Sequence, residues 1–135
     1  NDIYMIKSGA TTGKVAIVDT DRIFTIWSPL AVFRCNTRIL IPNYMFYYLQ
    51  SHYYQFQVSL NWSFGTQQNI GMRSLEKIDI ALPPLTEQTA IAAYLDDKTA
   101  QIDSIIGKCE KQIEQLSALR RSLIAEAVTG KIKVC

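Results

Sequence analysis

Ile102-Asp-Ser-Ile-Ile-Gly-Lys-Cys-Glu-Lys-Gln-Ile-Glu-Gln-Leu-Ser-Ala-Leu-Arg-Arg-Ser-Leu-Ile-Ala-Glu-Ala127 places an apolar side chain at almost every third or fourth position. Ile102, Ile106 with its neighbour Ile105, Cys109, Ile113, Leu116, Leu119, Leu123 and Ala127 form a seam close to heptad spacing, the pattern of a helix that packs lengthwise on another helix. Lys111, Glu114, Arg120, Arg121 and Glu126 fall between them and supply a solvated face. Working back from this stretch, there is no proline between Thr86 and Val128, and glycine occurs there once, at Gly107. The hydroxyl of Thr86 suits a helix cap, and Glu87 suits the positive end of the helix dipole. A first short helix is expected to carry Ile91, Ala92 and Leu95, with Asp96-Asp97 marking a break or bend before the longer helix. Gly130 stands where a helix stop is expected. A helix of about 30 residues is about 45 Å long, more than the diameter of a small domain. A helix folded back over its own domain is one arrangement. The length favours a paired coiled-coil arm, with the partner either another helix of the intact protein or a second copy.

Upstream the pattern changes to short β-rich runs. Residues 3–7 read as a strand, Ser8 to Gly13 as a small-residue loop, and Lys14 to Val18 as a second strand ended by Asp19-Thr20-Asp21. Residues 23–35, with Trp27, Leu30, Val32 and Phe33, read as a third. Pro29 has no N–H to give to a ladder, which places it at an edge or a bulge. Such strands cannot bury both faces alone, so strands upstream of this chain are expected to complete the sheet. Pro42 opens a helical stretch rich in aromatics: Tyr44, Phe46, Tyr47, Tyr48 and Leu49, then Tyr53, Tyr54, Phe56, Val58 and Leu60. Asn61 to Gly71 reads as a polar loop, and Ile78 to Leu82 as a short strand halted by Pro83-Pro84. The fold class is α+β. A partial β-rich domain with short helices over residues 1–85 is followed by a helical region over residues 86–135.

The chain has 135 residues, enough for one domain with a modest core, and 48% of them are hydrophobic, which argues against disorder. It opens at Asn1 on what reads as a strand, without an initiator methionine, and is taken as a fragment of a longer protein. No apolar run approaches the roughly 20 residues that span a membrane, and no signal peptide is visible. The net charge is +2. Residues 1–85 carry 7 Lys/Arg against 5 Asp/Glu, and residues 86–135 carry 7 of each, so the small basic excess lies in the N-terminal part. Cys35, Cys109 and Cys135 have neither zinc-site nor disulfide-framework spacing, and free, buried thiols in a reducing cytoplasm are expected.

Catalytic chemistry finds little support. His52 is the single histidine and has no cysteine or carboxylate partner at an informative spacing. No cluster of metal-ligand residues appears, so neither metal nor cofactor is expected. Gly9-Ala-Thr-Thr-Gly13-Lys14 invites comparison with a phosphate-binding loop, but only three residues separate the glycines and Val15 follows the lysine. That loop needs four, then Ser or Thr. A tight turn between strands is the simpler reading, and its lysine remains free to touch a DNA phosphate. The Asn61–Gly71 segment is richer. Asn61, Ser63, Thr66, Gln67, Gln68 and Asn69, with Arg73 just beyond, carry the amide, hydroxyl and guanidinium groups that bond base edges, Asn and Gln to adenine and Arg to guanine. An ordinary polar connection is the alternative. Lys7 and Lys14, and more weakly Arg34 and Arg38, are candidates for phosphate contacts.

Leu82-Pro-Pro-Leu-Thr-Glu-Gln-Thr-Ala-Ile-Ala-Ala-Tyr-Leu-Asp96 and Leu119-Arg-Arg-Ser-Leu-Ile-Ala-Glu-Ala-Val-Thr-Gly-Lys-Ile-Lys-Val134, together with the Gly-Ala-Thr-Thr-Gly-Lys-Val segment, resemble the type I restriction-modification specificity subunit. The resemblance covers nearly the whole chain. It implies a non-catalytic subunit built from two target-recognition domains separated by long helices, each domain reading one half of a split site in double-stranded DNA. It further implies that the helices set the spacing and dock the modification subunits, which carry the methyltransferase chemistry, and that a restriction subunit joins to cut unmodified DNA. By that resemblance residues 1–85 are the distal part of a recognition domain and residues 86–135 a conserved helical region. Two other classes remain open: a helical dimerisation module whose globular part merely packs, and a methyltransferase fragment. The absence of an Asn-Pro-Pro-Tyr type of motif weighs against the second of these.

Overall fold

Alternation of apolar and half-exposed residues in Ile3-Tyr-Met-Ile6 makes β1 (Ile3–Ile6), the centre of a small antiparallel sheet. Its neighbours are β2 (Val15–Ile17) on one side and β3 (Leu30–Phe33) on the other, with Ile3 opposite both Ile17 and Phe33, and Met5 opposite both Val15 and Ala31. Successive side chains of a strand point to opposite faces. Ile3, Met5 and Ala31 therefore share the inner face, where all three are buried. The computed structural model describes residues 2–20, 22–64 and 67–134. Two helices cover the inner face, α1 (Pro42–Gln50) and α2 (His52–Leu60), contributing Met45, Leu49, Tyr54 and Val58 to one core with Ile70, Leu75 and Ile78. Each such side chain taken out of water is worth about 1.5–3 kcal/mol, which is what holds so small a sheet.

A hairpin of β4 (Ser63–Phe64) and β5 (Gln68–Asn69) follows α2, and a single turn, α3 (Met72–Leu75), follows the hairpin. The chain then runs through Pro83-Pro84 into α4 (Leu85–Val128). It separates into two compact units, residues 1–95 and residues 96–135. The first holds every element through α3 and the opening turns of α4; the second holds the remainder of α4 and the C-terminal residues. Gly130, at φ 72°, ends the helix, with the Lys131 N–H bonding back to the Glu126 carbonyl at 2.9 Å. The architecture is α+β, as the sequence implies. Among the described residues no helix is long and apolar enough to cross a membrane.

Several expectations are corrected. The third strand is not 23–35 but only Leu30–Phe33. Pro29 contributes a carbonyl, which accepts from the Lys7 N–H at 2.8 Å, and a turn from Trp27 to Leu30 precedes the strand. Ile23 and Trp27 lie exposed, because β-forming side chains make no strand without a neighbour to pair with. The aromatic stretch is two helices, divided at Ser51, whose extended backbone and Oγ, accepting from the Tyr54 N–H at 3.2 Å, make it an N-cap. The expected loop over 61–71 contains a hairpin and a buried Ile70. No strand forms over 78–82. That segment is tied by side chains instead, the Tyr44 hydroxyl donating to the Ala81 carbonyl at 2.9 Å and Tyr48 to Asp79 at 3.5 Å. Nor does the helix break at Asp96-Asp97: α4 is continuous, and the exposed Asp97 carboxylate accepts from Gln101 at 2.8 Å and pairs with Lys98 at 3.3 Å. Aspartate in a helix interior costs under about 0.7 kcal/mol, too little to break a long helix.

Candidate nucleic-acid interface

The turn between β1 and β2 has the shape its two glycines dictate. Gly9 and Gly13 both hold positive φ, 103° and 94°, where a side chain is strained. The Gly13 N–H bonds the Ile6 carbonyl at 2.7 Å, and the Thr12 hydroxyl closes onto the Gly9 carbonyl at 2.7 Å. Lys14 leads straight into β2, so the turn opens a strand and not the helix that follows a phosphate-binding loop.

The β4–β5 hairpin lies against the same turn. The Gly9 N–H bonds the Gln68 carbonyl at 2.9 Å, and the Thr12 hydroxyl reaches that oxygen at 3.4 Å. Ser8 bridges to Asn69, and the Ile70 N–H bonds the Lys7 carbonyl at 2.8 Å. From the far side Gln55 of α2 reaches in, its amide donating to the Gly13 carbonyl at 2.8 Å and the Leu49 carbonyl at 2.6 Å. A side-chain carbon at Gly13 would collide with that carboxamide. Two loops distant in sequence are thus fixed as one surface on a helix.

The surface collects most of the candidate residues. Ser63, Gln67, Gln68, Asn69 and Lys14 are exposed and Lys7 half-exposed. The Ser63 hydroxyl donates to the Asn69 carbonyl at 3.1 Å, which leaves the Asn69 side chain outside that bond. Asn61 sits at the end of α2 with its amide on the Gln57 carbonyl at 2.9 Å. Arg73 is exposed on α3. Thr66 lies outside the described residues. Arg34 does not join the group: it pairs with Asp2 at 3.0 Å, and that carboxylate raises its pKa. Arg38 belongs to the turn before α1, where its N–H bonds the Asn36 side chain at 3.2 Å. The electrostatics are simple. Residues 3–18 and 61–75, the segments that meet here, carry Lys7, Lys14 and Arg73 and no Asp or Glu.

His52 is exposed and stacks on Phe56, ring centroids 6.4 Å apart. Among the described residues no group of His, Cys, Asp and Glu is placed to hold a metal ion. The cysteine expectation needs correction: Cys109 is exposed, because its place on a helical stripe gives burial only when a partner covers the stripe. Cys35 is half-buried, and burial pushes its thiol pKa up; Cys135 lies outside the described residues. The seam shares the fate of Cys109. Ile102, Ile106, Ile113, Leu116, Leu119 and Leu123 are all exposed, Leu116 at 66%. Sequence reasoning missed Gln55 and Gln88, whose roles depend on backbone groups brought close only by folding.

Residues 1–115 match the family model described as the type I restriction modification DNA specificity domain. The chain is similar to the type I restriction enzyme EcoBI specificity subunit of Escherichia coli, 34% identical over 90 residues, 67% of this chain and 19% of that protein. It is similar to the StySPI specificity subunit of Salmonella potsdam, 32% identical over 95 residues, 70% of this chain and 20% of the relative. A putative type I restriction enzyme specificity subunit of Methanocaldococcus jannaschii, MjaX, is 32% identical over 127 residues, 92% of this chain and 29% of the relative. The chain therefore spans between about a fifth and three-tenths of the length of these curated relatives.

Proposed function

The chain belongs to the type I restriction-modification DNA specificity family, and on that premise we propose that the full-length protein is the DNA-reading subunit of such a system, with residues 1–85 serving one half of a bipartite site. The observation that carries this is the composite surface of the β1–β2 turn and the β4–β5 hairpin. It offers two lysines, with Arg73 on the helix that follows the hairpin and no carboxylate in residues 3–18 and 61–75, beside exposed amides that suit base edges. Lys7 and Lys14 then address phosphates, which position a protein on the duplex. Ser63, Thr66, Gln67, Gln68 and Asn69, with Asn61 and Arg73 flanking them, address bases, which specify it.

In this reading the subunit makes and breaks no covalent bond and needs no cofactor. The exposed stripe of α4 from Ile102 to Leu123 supports a paired helical arm. Its partner is a second helix of the intact protein or a second copy of the chain, and the same region docks the modification and restriction subunits of a cytoplasmic complex.

The test is equilibrium binding by the full-length subunit assembled with its modification subunit, on duplexes carrying the mapped site or the site with one half replaced. Wild type should prefer the intact site by about 10³-fold or more. Lys14→Ala should weaken binding to every sequence and lower the salt slope by about one, whereas Gln68→Ala should cost about 1–3 kcal/mol on the intact site and narrow the preference. Equal affinity of the assembled wild-type complex for all sequences would reject the reading.

A further inference from the structure

Gln88 is the one polar or charged side chain among the described residues that is buried, with no exposed surface at all. Its carboxamide makes three hydrogen bonds to main chain outside any helix ladder. Nε2 donates to the Ile39 carbonyl at 2.9 Å and to the Pro83 carbonyl at 2.8 Å, and Oε1 accepts from the Ile41 N–H at 2.9 Å. Ile41 is the N-cap position of α1, and its side chain has no means of capping. Pro83 stands at the approach to α4. One side chain therefore joins the start of α1, the approach to α4 and the first turn of α4 itself.

The chemistry is selective. Two carbonyls and one N–H converge, so the group between them must both donate twice and accept once. A glutamine amide does this. A glutamate of the same shape brings no donor to the two carbonyls, and a methionine of similar volume leaves all three main-chain groups unpaired. Main-chain groups left without partners on folding are strongly disfavoured, so this amide favours keeping the three segments together. Ala92, one turn further along α4, is also buried within the same unit.

We propose that Gln88 pins the opening turns of α4 to the recognition head and is thereby a positioning residue for the distance between the two halves of the DNA site; the second clause rests on the DNA-reading role proposed above. A helix that sets spacing does so only if its attachment is stiff. A pivot near residue 88 would spread the positions reached further along the helix.

The test uses the full-length subunit in its assembled complex, spin-labelled at positions 11 and 93, both exposed and both within the unit of residues 1–95, in a background free of native cysteines. The wild type should give a narrow distance distribution, and Gln88→Met and Gln88→Glu broader ones. In methylation assays the same variants should lose about tenfold of the preference for the native spacer over spacers a base pair shorter or longer, the scale expected of a small misplacement, with activity retained on the native spacer. Tyr44→Phe, which removes a neighbouring hydrogen bond to Ala81, should lower the melting temperature and leave both readouts unchanged. A broad distribution in the wild type would overturn the proposal even if the variants fail to fold. So would folded Gln88 variants with wild-type width and spacing preference. Broadening in the variants of a complex that does not discriminate between DNA sequences would uphold the pin and remove the DNA-reading role.

Discussion

Tyr54 shows what burial does to a single group. It is 1% exposed, and its hydroxyl has no hydrogen-bond partner among the described residues. Burial, aided by Tyr48, pushes its pKa from 10.0 up to about 12. Between those values the folded protein keeps a proton that the unfolded chain has lost. The contribution to stability is therefore complete below about pH 10 and is lost as the pH rises through about 12. Tyr54→Phe removes the titrating group and an unpaired hydroxyl together. It should leave stability at neutral pH unchanged or raise it by about 1 kcal/mol, and should flatten the decline in urea melts above pH 10. A loss of more than about 2 kcal/mol at neutral pH would show that the hydroxyl is hydrogen-bonded after all. Gln88 is the opposite case, a buried polar group with both amide protons used. The contrast explains why neither residue was legible as a single letter: an aromatic in a helix and a glutamine in a helix start read alike whether or not backbone atoms from nearly 50 residues away come within 3 Å.

At the scale of elements, α4 was legible because its period persists over many turns, and Gly130 marked its end. No break forms at Asp96-Asp97 because a local preference is weak beside a long hydrogen-bond ladder. The strand expected over 23–35 failed for a different reason. Ile23, Phe24 and Trp27 have β-forming side chains, but pairing depends on a neighbouring strand, which composition does not reveal. The hairpin was hidden because its strands are only two residues each. Of the candidate site, the residue types were legible and their grouping was not. Lys7 and Gln68 are brought together, with Lys14 on the same turn, by backbone bonds between segments about 60 residues apart in the chain. Gly13 is the sharpest test of that construction. Its φ of 94° and the Gln55 carboxamide against it mean that Gly13→Ala should destabilise the unit by more than about 1 kcal/mol in denaturant melts. Gly107, which has open space around it and lies within α4, should accept alanine with a gain of up to about 1 kcal/mol. If Gly13→Ala proved neutral, the turn would not be held as described.

At the scale of the molecule, the proposed roles are separate: a small α+β unit presents a short basic and amide-bearing surface for reading DNA, and a helix of 44 residues, about 66 Å if straight, is the part proposed to supply length. An exposed seam of Ile102, Ile106, Ile113, Leu116, Leu119 and Leu123 is the part of the helix that calls for a partner. In a preparation whose mass by light scattering is that of a dimer, Leu116→Asp should yield monomers, because a charge buried in a seam without a partner is costly. An unchanged mass would remove the seam from the interface. The reading surface itself is tested most directly by photo-crosslinking. A photoreactive group placed at position 68, 11 or 39 of the full-length subunit, assembled with its modification subunit on the mapped duplex, reports which side faces DNA. Positions 68 and 11, on the hairpin and the adjoining turn, are predicted to crosslink to DNA, and position 39, beside the Gln88 pin, is not. Crosslinks from position 39 with none from 68 or 11 would contradict the account.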